Sequence, residues 1–90
     1  MLEKAINIAV HVHTGQVDKA GKPYILHPIR VMMKMETIEE MITAVLHDVI
    51  EDSQDPDKWT TERLRSEGFA QEILDALDNL TKRNGESYEA

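Results

Sequence analysis

No cysteine occurs in this 90-residue chain, so neither a disulfide nor a thiolate zinc site is available, and any metal must be held by histidine and carboxylate. Basic residues are scarce as well: 10 stand against 17 acids, a formal charge of −7. An acidic surface repels phosphate backbones, which argues against nucleic-acid binding, and an anionic substrate would need a metal or a few placed lysines and arginines. No apolar run approaches the roughly 20 residues that span a bilayer, so no membrane association is expected. The start MLEKAINIAV has an acid at Glu3 and no Ala-x-Ala cleavage pattern, and reads as a helix rather than a signal peptide. A reduced, cytoplasmic setting is the expectation. Walker A, GxGxxG and GxSxG patterns are all missing. A calcium loop at DSQDPDKWTTER fails too, because Asp57 sits where glycine is needed and Arg63 where a bidentate glutamate is needed.

What is present is helical periodicity, in a length that suits one domain with a single core. Leu2, Ala5, Ile6, Ala9 and His13 share a face over about residues 2 to 14. The loop GQVDKAGKP follows, and Pro28 suits the first turn of a second helix over about 28 to 35. Thr37 and Glu40 form a capping box for a third, about 38 to 52. After a break at Asp55-Pro56, Thr60 or Thr61 caps a short helix ending at Gly68. A last helix, about 70 to 82, aligns Ile73, Leu74, Leu77 and Leu80, and NGES is expected to end it. There is no strand alternation and no repeat, so the fold class is all-α. The final YEA reads as the opening of another helix with no terminator, which suggests a fragment of a longer protein.

The segment VLHDVIED places four ionisable groups in an otherwise apolar helix. With Val45 at zero and 100 degrees per residue, Ile38, Met41, Ile42 and Val49 fall within about 60 degrees of it, and Leu46 and Ile50 extend the arc to about 140. His47, Glu51, Asp48 and Asp52 take the arc from about 200 to 340 degrees, as two i,i+4 pairs. Two readings stand. One is a solvated polar face; the other is a metal site, since adjacent acids without a lysine partner repel and a divalent cation would neutralise them. A His-Asp pair supplies at most two ligands, so others must come from elsewhere. His11 and His13 lie about 200 degrees apart on their helix and cannot share a site. His13 falls on the apolar stripe, where a hydrogen-bonded core histidine is the ordinary outcome, and His11 should be exposed. His27, beside Pro28, either caps and packs its helix or projects into a cleft.

The strings HTGQVDKAGKPYILHPIRV, AVLHDVIEDS, EGF and LTKRNGESYEA, in that order, resemble the HD-domain phosphohydrolases. Within them the likeness is to the RelA/SpoT-type alarmone hydrolase domain and its small single-domain relatives. The specific part is G-x-P-Y-I-x-H-P combined with H-D-x-x-E-D. The resemblance implies an HD-domain bundle of about five helices and a single divalent metal, usually manganese. The reaction it implies is hydrolysis of a nucleotide pyrophosphate or phosphate ester such as guanosine tetraphosphate. Carried over, the metal ligands are His27, His47 and Asp48, and the Glu-Asp pair that activates water is Glu51 and Asp52. Lys19 and Tyr24 match the family's loop lysine and tyrosine, both expected to bind substrate. Two positions depart: Asp18 replaces a guanine-contacting arginine, and a later ligand aspartate has no counterpart within the 90 residues. The expected partner is therefore a small-molecule nucleotide. The rival expectations are a catalytically silent helical module that binds a nucleotide or a protein, and a bundle that forms a homo-oligomer through exposed apolar surface.

Overall fold

The computed structural model describes residues 1–54 and 56–89, with side chains through residue 80. Five helices follow one another: α1 Leu2–His13, α2 Leu26–Met33, α3 Ile38–Asp52, α4 Thr61–Ser66 and α5 Gln71–Glu89. Among the described residues there is no strand, only an isolated antiparallel bridge between Val17 and Pro23. The chain is all-α, as its periodicity implies.

α3 occupies the centre, with α1, α2 and α5 packed against it and α4 packed on α5. The reason is its wheel: Ile42, Val45, Leu46 and Val49 are all buried. They meet Ala5 and Ala9 of α1, Met32 of α2 and Ile73, Leu74 and Leu77 of α5 in one core. Each large aliphatic side chain removed from water stabilises the fold by about 1.5–3 kcal/mol. Ala5 and Ala9 are fully buried one turn apart, and their small side chains permit close approach of α1 to α3.

Both ends of α3 are held. At its start Thr37 Oγ1 accepts from the Glu40 N–H and Glu40 Oε1 accepts from the Thr37 N–H, each at 3.1 Å, so the expected capping box is formed. At its end Lys58 Nζ donates to the Ile50 carbonyl, and the buried Ser53 Oγ accepts from the Trp59 N–H at 2.8 Å. The Arg63 guanidinium lies 3.8 Å above the centre of the Trp59 ring. Thr60 caps α4, accepting from the Arg63 N–H. Gly68, at φ +99°, closes that helix with Gly68 N–H to Arg65 and Phe69 N–H to Leu64, a Schellman motif with Leu64 and Phe69 both buried.

Several boundaries differ from expectation, the end of α2 at Met33 rather than about residue 35 among them. α2 begins at Leu26 rather than at Pro28, which therefore lies inside the first turn; proline is tolerated there because first-turn N–H groups have no intrahelical partner. α1 stops at His13, one residue early. NGES does not end α5, which runs on to Glu89: glycine in a helix costs only about 1 kcal/mol relative to alanine, a penalty that neighbouring residues can outweigh. Asp55 of the expected break, and Ala90, lie outside the described residues.

Candidate functional site

The loop between α1 and α2 delivers two of the site's side chains. Its tight turn is closed by Asp18, whose Oδ1 accepts from the Ala20 and Lys22 N–H groups at 2.9 and 3.0 Å, while Gly21 adopts φ +83°. The Asp18 N–H donates to Lys22 O and the Tyr24 N–H donates to Gln16 O, so the loop folds back on itself. Tyr24 emerges at its end and His27 from the first turn of α2 that follows, both beside α3.

Asp48 is the hub of what they meet. Its Oδ2 accepts from the Tyr24 hydroxyl at 3.3 Å and faces His27 Nε2 at 3.7 Å, and its Oδ1 faces His47 Nδ1 at 3.6 Å. One turn on, Glu51 Oε1 faces His47 Nε2 at 3.6 Å, so His47 stands between two carboxylates, one at each ring nitrogen. Ligand atoms of His47, Asp48 and Glu51 all lie within 4.8 Å of one another. Ligands bound about 2.1 Å from one cation are about 3–4.2 Å apart, and His47 can offer only one ring nitrogen to a given ion, so side chains whose ligand atoms lie within 4.8 Å of one another need only small rotations to share one. The two imidazoles and the carboxylates also form a chemically sensible donor set for one.

Asp52 does not join this group. It turns toward α1, where its Oδ2 lies 3.7 Å from Nδ1 of His13. His13 is buried, and Nδ1 is 3.1 Å from Gln16 Oε1, the hydrogen-bonded core histidine anticipated from the stripe. His11 is exposed. Tyr24 touches both sides, its ring centre 5.0 Å from that of His13 and 5.6 Å from that of His27. Burial, then the charges of Asp48 and Asp52, push the Tyr24 phenol up to about 12. Burial and then Asp48 also raise the Asp52 carboxyl above its ordinary value.

A cleft of about 600 Å³ adjoins the cluster, lined by His27, His47 and Asp48 together with apolar Val31, Ile73 and Leu80. Among the described residues no lysine or arginine lines it. Lys19 and Lys22 are exposed on the loop, and Arg30 is exposed on α2. Sequence reasoning missed the pairing of Asp52 with His13, the anchoring role of Gln16 and the turn-closing role of Asp18. For the last, the Asp-x-x-Gly spacing is a legible turn signal; Gln16 sits only three residues from His13, but a glutamine at that spacing has no distinctive signal; for the first, no local spacing connects residues on different helices.

No family model matches the chain. Among curated proteins it is 33% identical over 87 residues to a GTP pyrophosphokinase of Myxococcus xanthus, a match covering 91% of this chain and 11% of that protein. It is 39% identical over 83 residues to a guanosine-3′,5′-bis(diphosphate) 3′-pyrophosphohydrolase of Borreliella burgdorferi, covering 88% and 12%. A third, the bifunctional (p)ppGpp synthase/hydrolase SpoT of Escherichia coli, is 42% identical over 57 residues, covering 58% and 8%. The chain spans about a tenth of the length of the curated relatives it matches.

Proposed function

The chain is a relative of the RelA/SpoT-type HD hydrolase domain, and from that premise we propose that residues 1–90 act in a metal-dependent phosphohydrolase. The substrate is a pyrophosphate or phosphate ester of a nucleotide, with guanosine tetraphosphate, named for several relatives, as the first candidate. The observation that carries this reading is the convergence of His47, Asp48 and Glu51 within 4.8 Å, with His27 facing Asp48 from another helix. The two acids Asp48 and Glu51 on neighbouring turns repel, and a cation between them removes that repulsion.

In this reading His27, His47 and Asp48 hold the metal, and Mn²⁺ is the ion the resemblance favours. When bound, the cation supplies charge neutralisation for phosphoryl oxygens and acidifies a coordinated water. The protein's own residues do the rest. The Tyr24 hydroxyl orients Asp48 by donating to Oδ2, and its ring flanks the nucleotide's approach beside His27. Glu51, a turn beyond His47, accepts the proton of the attacking water, and Asp52 relays or balances it. Water adds at phosphorus, the ester P–O bond breaks and the departing oxygen takes up a proton. Lys19 offers a loop ammonium for the phosphates, since no lysine or arginine among the described residues lines the cleft. The setting is cytoplasmic, where such nucleotides occur; no helix among the described residues is long and apolar enough to cross a membrane.

The test is release of phosphate or pyrophosphate from a nucleotide panel, guanosine tetraphosphate included, with and without Mn²⁺. Metal-dependent turnover is expected in the wild type and at least about 100-fold less in His47→Ala. Turnover that survives in His47→Ala would sink the assignment. Nucleotide binding without turnover would favour the silent module.

A further inference from the structure

The proposed hydrolysis uses Asp52 but leaves His13 without a task. His13 closes α1, its side chain has no exposed surface, and its Nδ1 is within reach of two oxygens, Gln16 Oε1 at 3.1 Å and Asp52 Oδ2 at 3.7 Å. The second spacing is a close approach rather than a hydrogen bond.

Gln16 decides which way the histidine points. Its own amide nitrogen donates to the Val12 carbonyl at 3.4 Å, which turns Oε1, an acceptor, toward the imidazole. Both neighbours of Nδ1 are therefore acceptors, so Nδ1 carries the proton. At the other end of the ring Nε2 is buried with no partner among the described residues. A proton there would be a buried donor without an acceptor, at a cost of about 1–3 kcal/mol, whereas a bare lone pair is tolerated more easily. The ring is thus the neutral tautomer with its single N–H aimed between Gln16 and Asp52. Tyr24 lies tilted against the imidazole at 5.0 Å and hydrogen-bonds Asp48 at the same time, so the ring has little room to turn.

Asp52 needs such a donor. It is about one-third exposed, shares α3 with Asp48 and Glu51, and borders a second, polar recess lined with His11, Gln16 and Gln54 but with none of His47, Asp48 and Glu51. Left to itself, the carboxylate would turn outward, away from the other two acids. We propose that His13, anchored by Gln16, is a positioning residue that fixes the orientation of Asp52 through the shared Nδ1–H. The orientation stands on this geometry; its consequence for turnover rests on the function proposed above.

Two measurements on the metal-free protein test the orientation without any assay of activity. Long-range ¹H–¹⁵N correlation of His13 should show the Nδ1–H tautomer; the Nε2–H form would overturn the proposal. Three-bond couplings should show one χ1 rotamer for Asp52 in the wild type and in His13→Asn, whose amide N–H takes the place of Nδ1–H. They should average in His13→Leu, which keeps the buried volume and removes the donor. Gln16→Leu, which leaves the ring in place but unanchored, gives a second arm should the leucine variant fold poorly. An Asp52 rotamer that stays fixed in the folded donor-less variants ends the idea. In the Mn²⁺-loaded enzyme, His13→Leu should lower kcat about tenfold with KM unchanged, and His13→Asn should recover most of it. Equal losses in both variants would mean a packing role and overturn the proposal. A wild type with a fixed Asp52 and no turnover would instead overturn the hydrolase reading alone.

Discussion

His13 and His27 each face an aspartate of α3 at 3.7 Å, yet the first side chain is 0% exposed and the second 54%. Equal distance conceals different physics. Around His13 every direction is occupied: Gln16 at Nδ1, the Tyr24 ring against its plane, the core behind it. Such a histidine has one available geometry and can serve as a fixed donor. His27 stands at the rim of the cleft with half its surface in water, where trading solvent for a cation needs little rearrangement. Burial makes one histidine a strut, and exposure leaves the other free to adapt. The aspartates follow suit: Asp48, the more buried, is held by Tyr24 and sits among possible ligands, while Asp52 leans toward α1.

The sharpest way to break this comparison is thermodynamic. His13→Ala should destabilise the fold by about 2–3 kcal/mol through the cavity it leaves, and His27→Ala by less than about 0.5 kcal/mol, both measured by urea unfolding. Equal losses would erase the distinction. Mn²⁺ binding, followed by calorimetry, should reverse the order: His27→Ala weakens it at least about tenfold while any folded His13 variant binds as the wild type does. Loss of affinity on changing His13 would place it among the ligands after all.

Asp52 supplies a smaller effect with a pH signature. Its raised carboxyl pKa, caused first by burial and then by Asp48, means the folded protein holds that proton more tightly than the unfolded chain does. The stability attached to it is present below the ordinary carboxylate range and is lost as pH rises through the shifted value. Asp52→Asn should therefore stabilise the metal-free protein at neutral pH, by about 0.2–0.5 kcal/mol given the relieved i,i+4 repulsion, with the gain shrinking toward acid. A gain that grows toward acid would contradict the cause assigned. Smallest of all, ultraviolet titration of Tyr24 should give about 12 in the wild type and a lower value in Asp48→Asn. It should not return to 10.0, because burial, the larger cause, remains. No change would deny Asp48 its share.

Much of this was readable one residue at a time. The wheel of α3 separated Val45, Leu46 and Val49 from His47, Asp48 and Glu51 before any fold was known, because a 3.6-residue period leaves few choices for which side is buried. The capping box at Thr37 and the glycine closure at Gly68 were local chemistry and appear where expected. The end of α5 was misjudged because Asn and Gly lower helix propensity without forbidding a helix, and a weak local preference yields to context.

The site divides along the same line. That His47, Asp48, Glu51 and Asp52 belong to one polar arc was determined by the sequence alone, since residues on one helix are related by rotation about a known axis. Which histidine each aspartate meets was decided only in the tertiary structure. His13 and Asp52 come from α1 and α3, and His27 and Asp48 from α2 and α3, so their approach depends on how α1, α2 and the loop between them settle against α3. Local spacing carries no information about that docking, because it follows from the combined burial of Ala5, Ala9, Val45 and Val49 rather than from any residue of the site.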